Sequence, residues 1–245
     1  MQVSEPVIAF KEGPYMFDLQ TAIQQAKHVT FMTGAGVSTA SGIPDYRSKG
    51  GLYADQVDPE YALSIDNLQA HHEDFHKFVV NNMYFPAAKP NVIHEKMATI
   101  TNQKGTIVTQ NVDGLDRKAG AEHVVEFHGN LYRIYCQTCH KHFDYETYLK
   151  SDVHAADGGI LRPDIVLYGE PINPDTVSAA IEAISTADLL IVVGTSFVVY
   201  PFAGLIGYAQ PEATIVAVNR EKIALPEGAH MVQGDAVDVF AKLVV

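Results

Sequence analysis

Three short stretches of this 245-residue chain carry side chains that can hold an anion, orient a ligand or move a proton, and each directly follows an apolar run. Thr33-Gly34-Ala35-Gly36-Val37-Ser38-Thr39 follows Val29 to Met32, Gln110-Asn111-Val112-Asp113 follows Thr106 to Thr109, and Glu126-Phe127-His128-Gly129-Asn130 follows His123 to Val125. Gly34 and Gly36 permit a tight turn and close backbone approach, and a helix start beyond them points unpaired N–H groups at a diphosphate. Thr39 stands where G-x-G-x-x-G has its third glycine, so the turn alone could equally be a strand end without a ligand. His128 is the candidate base, because imidazole titrates near neutral pH and can take a proton from a hydroxyl. Asn111 and Asp113 offer donors and acceptors suited to a carboxamide, yet either could simply cap the next helix.

Convergence of these groups requires strands that end on one edge. Short apolar, mostly β-branched runs at Val29 to Met32, Thr106 to Thr109, His123 to Phe127, Leu189 to Val193, Thr214 to Val218 and His230 to Val232 predict them. Helical periodicity lies between, at Phe17 to Lys27, Asp66 to Asn82, Asn91 to Asn102, Asp175 to Thr186, Pro201 to Ala209 and Ala236 to Leu243. The alternation predicts an α/β fold with a doubly wound, mostly parallel Rossmann-like sheet, which binds ligands beyond the carboxyl ends of its strands. Gly194-Thr195-Ser196 is then a second strand-to-turn site, and Asn219 falls where such sheets read an adenosine ribose. Asp235, after Gly234, could face the adenine or N-cap the final helix.

Two regions break the rhythm. Leu131 to Ile165 carries Cys136-x-x-Cys139, many aromatic and His residues and the Gly158-Gly159 pair, and reads as a small inserted module. Ser48 to Asp66 has weak periodicity. The expected organisation is a single domain over 1–245, with a core at about 14–130 and 166–245 and the insert at about 131–165.

A formal net charge of −12 argues against a nucleic-acid partner, which would need clustered Lys and Arg. No stretch approaches the roughly 18 consecutive apolar residues of a membrane span. Residues 1–15 lack a basic region followed by an apolar run, and the two cysteines share one C-x-x-C, so a cytoplasmic protein is expected.

Taken in order, G-A-G-V-S-T-A-S-G-I-P-D-Y-R, T-Q-N-V-D-G-L, F-H-G-N, C-Q-T-C, G-G-x-L-R-P-D-I-V, Y-G-E and G-T-S-F-V-V-Y-P resemble the sirtuin family of NAD-dependent protein lysine deacylases, of bacterial type. The resemblance implies that NAD lies against Gly34, Ala35, Gly36, Thr39, Asp45, Tyr46, Arg47, Gln110, Asn111, Val112, Asp113 and His128, with Gly194, Thr195, Ser196, Asn219 and Asp235 on its far half. In this family the His deprotonates the NAD ribose after the acyl-lysine oxygen has displaced nicotinamide, which makes His128 and Asn111 the expected catalytic residues. Ser48 onward resembles the mobile loop that closes over NAD.

An acylated-lysine protein is implied as an extended peptide between Val166, Leu167, Tyr168, Gly169 and Glu170 on one side and Ser196 to Tyr200, Val199 included, on the other. Expected products are nicotinamide, O-acyl-ADP-ribose and free lysine, and neutral acyl groups are expected over dicarboxylic ones. Sirtuins usually carry a second C-x-x-C; here its place before Gly158 holds His154-Ala155-Ala156-Asp157. Cys136, Cys139, His154 and Asp157 could form a structural zinc site in a zinc-ribbon-like module. Otherwise packing by Tyr132, Tyr135, Phe143, Tyr145 and Tyr148 holds the module without metal. Two further readings remain: a mono-ADP-ribosyltransferase, and an NAD-sensing module with weak catalysis.

Overall fold

A computed structural model describes residues 17–45 and 59–245. Its strands are Val29–Thr33 (β1), Gly105–Thr109 (β2), Val124–Glu126 (β3), Gly129–Cys136 (β4), His142–Phe143 (β5), Leu161–Ile165 (β6), Leu189–Val193 (β7), Thr214–Asn219 (β8) and His230–Gln233 (β9). The α-helices are Leu19–Gln25 (α1), Pro59–Ala62 (α2), Ile65–Ala70 (α3), His72–Asn82 (α4), Val92–Lys104 (α5), Leu115–Lys118 (α6), Tyr145–Lys150 (α7), Pro174–Ser185 (α8) and Ala236–Ala241 (α9).

Six strands form a parallel sheet in the order β3-β2-β1-β7-β8-β9, and β5-β4-β6 form a small antiparallel one. Every residue of β1 and β7 is buried, because helices cover both faces of the large sheet. The strand period of two sorts their side chains. Val29, Phe31, Ile107 and Ile191 meet Ile23 of α1, Met97 of α5 and Phe240 of α9. Met32, Val108, Leu190 and Val192 meet Ile184 of α8 and Phe202 on the other face. Capping fixes the helix starts: Asp18 accepts from the Thr21 N–H, and Asn91 accepts from the Ile93 N–H while His94 accepts from the Asn91 N–H.

The structure departs from the sequence expectations in several places. The helix expected over Asp66 to Asn82 is broken at His71 (φ −143°, ψ 57°), so that Leu68 of α3 and Phe75 and Val79 of α4 enter one core. Pro201 to Ala209 forms a 3-10 helix over Phe202–Tyr208, in which Gly204 and Gly207 weaken the α-helical preference. The small sheet begins at Gly129, ahead of the expected insert start at 131. Residues from the 63–84 stretch, expected in the large core, pack instead with the small sheet: Leu63, Phe75 and Met83 join Ile134, Tyr148 and Leu161. Rings of Tyr84, Tyr132, Tyr145 and Tyr148 pack against one another around it. Among the described residues no helix is long and apolar enough to cross a membrane.

One buried acid works against this packing. Asp116, in the first turn of α6, is 4% exposed, and its Oδ1 has no hydrogen-bond partner. Burial pushes its carboxyl up to about 8, and the nearby Asp113 and Glu126 add to the rise. Because the folded value is raised, stability from this group is full below pH ~4 and is lost as pH rises through 8. Asp116→Asn is therefore expected to leave Tm nearly unchanged at about pH 3.5 and to raise it by roughly 3 °C or more at about pH 9. Calorimetry at the two pH values checks this, and an equal shift at both would contradict it.

Candidate active site

The parallel register sets the site. Thr33 lies opposite both Thr109 and Val193, Thr109 opposite Glu126, and Val193 opposite Val218. The residues that follow these five positions therefore emerge along one edge. Hydrogen bonds tie that edge together: the Gly34 N–H donates to the Val193 C=O (3.2 Å), Gly36 to Gly194 (2.8 Å), Gln110 to Thr33 (3.1 Å) and Phe127 to Thr109 (2.8 Å). A Cβ at Gly34 would lie 2.5 Å from Gln110 Nε2, and one at Gly36 would lie 2.6 Å from the Gly194 carbonyl oxygen. Glycine is required here by space, since Gly34 has an ordinary extended φ of −134°.

Beyond Gly36 the expected helix start is absent. Two 3-10 turns, Ala35–Val37 and Thr39–Ser41, take its place, and the N–H groups of Gly36, Val37 and Ser38 already have backbone acceptors. Thr39 donates its hydroxyl to the Gly36 C=O (3.1 Å). The helix N-terminus expected to face a diphosphate is therefore not formed here.

Along this edge runs a cavity of about 650 Å³. Ala35, Gly36, Thr39 and Asp45 line it from the first turn, and Gln110, Asn111, Val112 and His128 from the next two strands. Gly194, Thr195, Ser196 and Val199 close the far side, with Asn219 and Asp235 beyond them. Val166, Leu167, Tyr168, Gly169 and Glu170 form another wall. Gly34 supports the cavity from behind, its C=O accepting from Asn111 Nδ2 (3.0 Å). Tyr46 and Arg47 lie outside the described residues. Asp235 N-caps α9 through the Val237 N–H and pairs with Arg220 (2.7 Å), so the capping alternative describes its carboxylate. Both Glu170 oxygens are also taken, by Arg162 and the Leu167 N–H.

His128 is half-buried, and its Nδ1 lies 3.2 Å from the Gln110 C=O. A carbonyl only accepts, so Nδ1 carries the hydrogen and Nε2 presents its lone pair. Burial holds the imidazole below its ordinary value and keeps it neutral at pH 7. Gln110, whose carbonyl orients the ring, is itself anchored where its Nε2 donates to Thr195 Oγ1 (2.9 Å).

Below the cavity floor lies a polar cluster that sequence reading only partly found. Ser38 Oγ donates to Asp113 Oδ2 (2.7 Å), accepts from Asn111 Nδ2 (3.3 Å) and sits 3.5 Å from His94 Nε2. Asp113 Oδ1 accepts from the Leu115 N–H (2.8 Å), the helix-capping contact that its sequence position also allowed. Ser38, Asn111 and Asp113 line a recess with Ala35, Ile43, Pro44 and Phe85. Desolvation lowers His94 to about 4, so it is a neutral partner in this network. Its sequence signal was the Asn91-x-x-His94 capping pair.

A profile described as the Sir2 family matches residues 34–201. An NAD-dependent protein deacetylase of Listeria innocua serovar 6a is 52% identical over 229 residues, covering 93% of this chain and all of that protein. This chain belongs to the Sir2 family. Among solved structures, a Sir2 variant with a deacetylated p53 peptide and 3′-O-acetyl-ADP-ribose matches with a TM-score of 0.83 and 31% identity, over 91% of this chain and 94% of that one. A Sir2–p53 peptide–NAD+ complex matches at 0.80 and 32%, with the same coverage.

The Sir2-family chain also gathers the four expected ligands in its small sheet. The ligand atoms of Cys136, Cys139, His154 and Asp157 lie within 4.8 Å of one another. His154 Nδ1 is 2.8 Å from Asp157 Oδ1 and 3.5 Å from Cys139 Sγ, and Cys136 Sγ is 3.7 Å from Asp157 Oδ1. Tetrahedral zinc with bonds of about 2.0–2.3 Å sets its donors roughly 3–4 Å apart, so the cluster has the scale and donor types of a zinc site.

Gly36→Ala places a methyl group against the Gly194 carbonyl oxygen and must push the two strand ends apart. NAD-dependent turnover is expected to fall at least ~100-fold, since a shift of about 1 Å in such a site is that costly. Steady-state assay of the purified variant checks this; near-normal turnover would contradict the close-packed edge.

Proposed function

We propose that this Sir2-family NAD-dependent protein deacetylase uses His128 as its general base and Asn111 as the residue that orients the ribose. The supporting observation is the hydrogen bond from His128 Nδ1 to the Gln110 C=O, which leaves a neutral Nε2 for the cavity. When bound, NAD supplies an activated ribosyl carbon with nicotinamide as its leaving group. The cavity fits such a dinucleotide: it is long, lined by close-packed glycines, and carries hydroxyl and amide groups at both ends.

Gly36, Thr39, Thr195 and Ser196 flank the diphosphate, and Asn219 and Asp235 lie toward the adenosine. Ala35, Asp45, Gln110, Val112 and Gly194 complete the walls. Asp113 faces the carboxamide at the recess and Asn111 the ribose, Ser38 holding both side chains in place. His128 accepts a ribose hydroxyl proton at Nε2. Tyr46 and Arg47 remain assigned to NAD from their motif.

The protein substrate lies as an extended peptide between Val166 to Glu170 and the segment containing Val199. The Val166 C=O and the Gly169 N–H have no protein partner among the described residues, which suits strand-like pairing with little demand on sequence. Neutral acyl groups fit best, because the one Arg among the described cavity-lining residues, Arg220, is already paired with Asp235. We place the whole activity in one catalytic domain of the cytoplasm. Cys136, Cys139, His154 and Asp157 would hold a structural zinc, supplying cross-links to the small sheet and no catalytic step.

His128→Ala is expected to lower kcat at least ~100-fold with NAD still binding, since an imidazole base contributes about that much or more. Because burial lowers His128, the acid limb of the wild-type kcat/KM profile should fall below the ordinary histidine value of about 6.5. Retained activity in the variant, or a limb above that value, would contradict the assignment.

The purified protein is expected to carry about one zinc per chain, and Cys136→Ser to lose it together with thermal stability. Elemental analysis of both proteins checks this. Zinc-free wild type with an unchanged Tm in the variant would show that tyrosine packing holds the module alone.

A further inference from the structure

We propose that Arg162 is a positioning residue for acyl-peptide binding, acting through Glu170; the proposal rests on the functional reading above. Arg162 lies on β6 of the small sheet, is 3% exposed and never lines the cavity among the described residues. Its Nη1 donates to Glu170 Oε1 (2.6 Å) and its Nη2 to Glu170 Oε2 (2.9 Å), a bidentate pair. Further donations from Nη2 to the Ile165 C=O (2.7 Å) and from Nε to the Pro163 C=O (3.3 Å) lock the guanidinium to its own strand. Its plane centre lies 5.9 Å from the Tyr135 ring.

Glu170 passes this restraint to the peptide wall. Its Oε2 accepts the Leu167 N–H (2.9 Å) while its own N–H donates to the Leu167 C=O (3.0 Å), closing a turn around Gly169 at φ +86°. Val166 donates its N–H to the His128 C=O (2.9 Å), and Tyr168 exchanges backbone bonds with Leu63 and Ile65 (both 3.0 Å). With these bonds made, the Val166 C=O and the Gly169 N–H are the groups left for an added strand. Their separation and direction are set by the turn, and the turn is set by the carboxylate that Arg162 grips. With Arg162 buried and Glu170 partly exposed at the cavity wall, the ion pair contributes little net stability over an apolar pair of equal size, so geometry is the property it preserves.

Steady-state kinetics of Arg162→Lys, with Glu170→Gln and the apolar double variant R162M/E170M, test this in the full chain. A lysine keeps the charge but loses the fork. Its KM for an acetyl-lysine peptide is expected to rise roughly tenfold, the cost of about one well-placed hydrogen bond, with kcat and the KM for NAD near wild type. Glu170→Gln should show a smaller rise in the same parameter. R162M/E170M should keep the wild-type Tm and still show the peptide defect. An unchanged peptide KM would overturn the proposal, as would a parallel fall of Tm, kcat and NAD affinity, which marks a structural pair. Wild-type protein that consumes no NAD with the peptide would instead overturn the functional reading itself.

Discussion

Every functional feature depends on the in-register ending of parallel strands. Thr33, Thr109, Val193, Glu126 and Val218 share one level of the sheet, so the next residue on each strand emerges at the same height. One-residue slippage would turn Phe31 and Met32 to the wrong faces, into cores shaped for other side chains, and the penalty of that misfit holds the register. Gly34 and Gly36 then let neighbouring strand ends close to a distance that no Cβ permits.

Electrostatics in the cavity follow from the same closeness. Desolvation is the first cause of the low value of His128, opposed by its bond to the Gln110 C=O, and the imidazole stays unprotonated at pH 7. His94 is neutral for the same reason, and the charge of Asp113 is met by the Ser38 hydroxyl and a backbone N–H. On the opposite wall, Glu170 reaches the cavity with its charge neutralised by the buried Arg162 behind it. The cleft therefore offers directed dipoles more than net charge, which suits a ligand that brings its own diphosphate.

Much of this was legible in sequence because buried strands write uninterrupted β-branched runs: Leu189 to Val193 has the bounds the pattern implies. Positions one step past those runs were readable too, which is why Gln110, Asn111, His128 and Thr195 could be named together. What depends on tertiary packing was not. No glycine or proline marks the break at His71, and nothing local sends Phe75 and Val79 to the small sheet rather than the large one. Ser38 lay within a readable motif, yet its bond to Asp113 joins residues far apart in sequence. The Arg162–Glu170 pair was hidden in the same way, since a strand residue and a turn residue meet only when the loop closes. Cys136, Cys139, His154 and Asp157 gave the reverse case: spacing proposed the set, and folding brings the donors together.

In the proposed reaction, which His128 serves, the acyl oxygen of a lysine substrate, and not an amino-acid side chain, captures the ribosyl group. Mass spectrometry of all products from wild-type protein, NAD and an acetyl-lysine peptide tests it most directly. Nicotinamide, O-acetyl-ADP-ribose and deacetylated peptide are expected in equal amounts. A peptide that retains its acetyl group and gains ADP-ribose, or an incubation that leaves NAD intact, would contradict it.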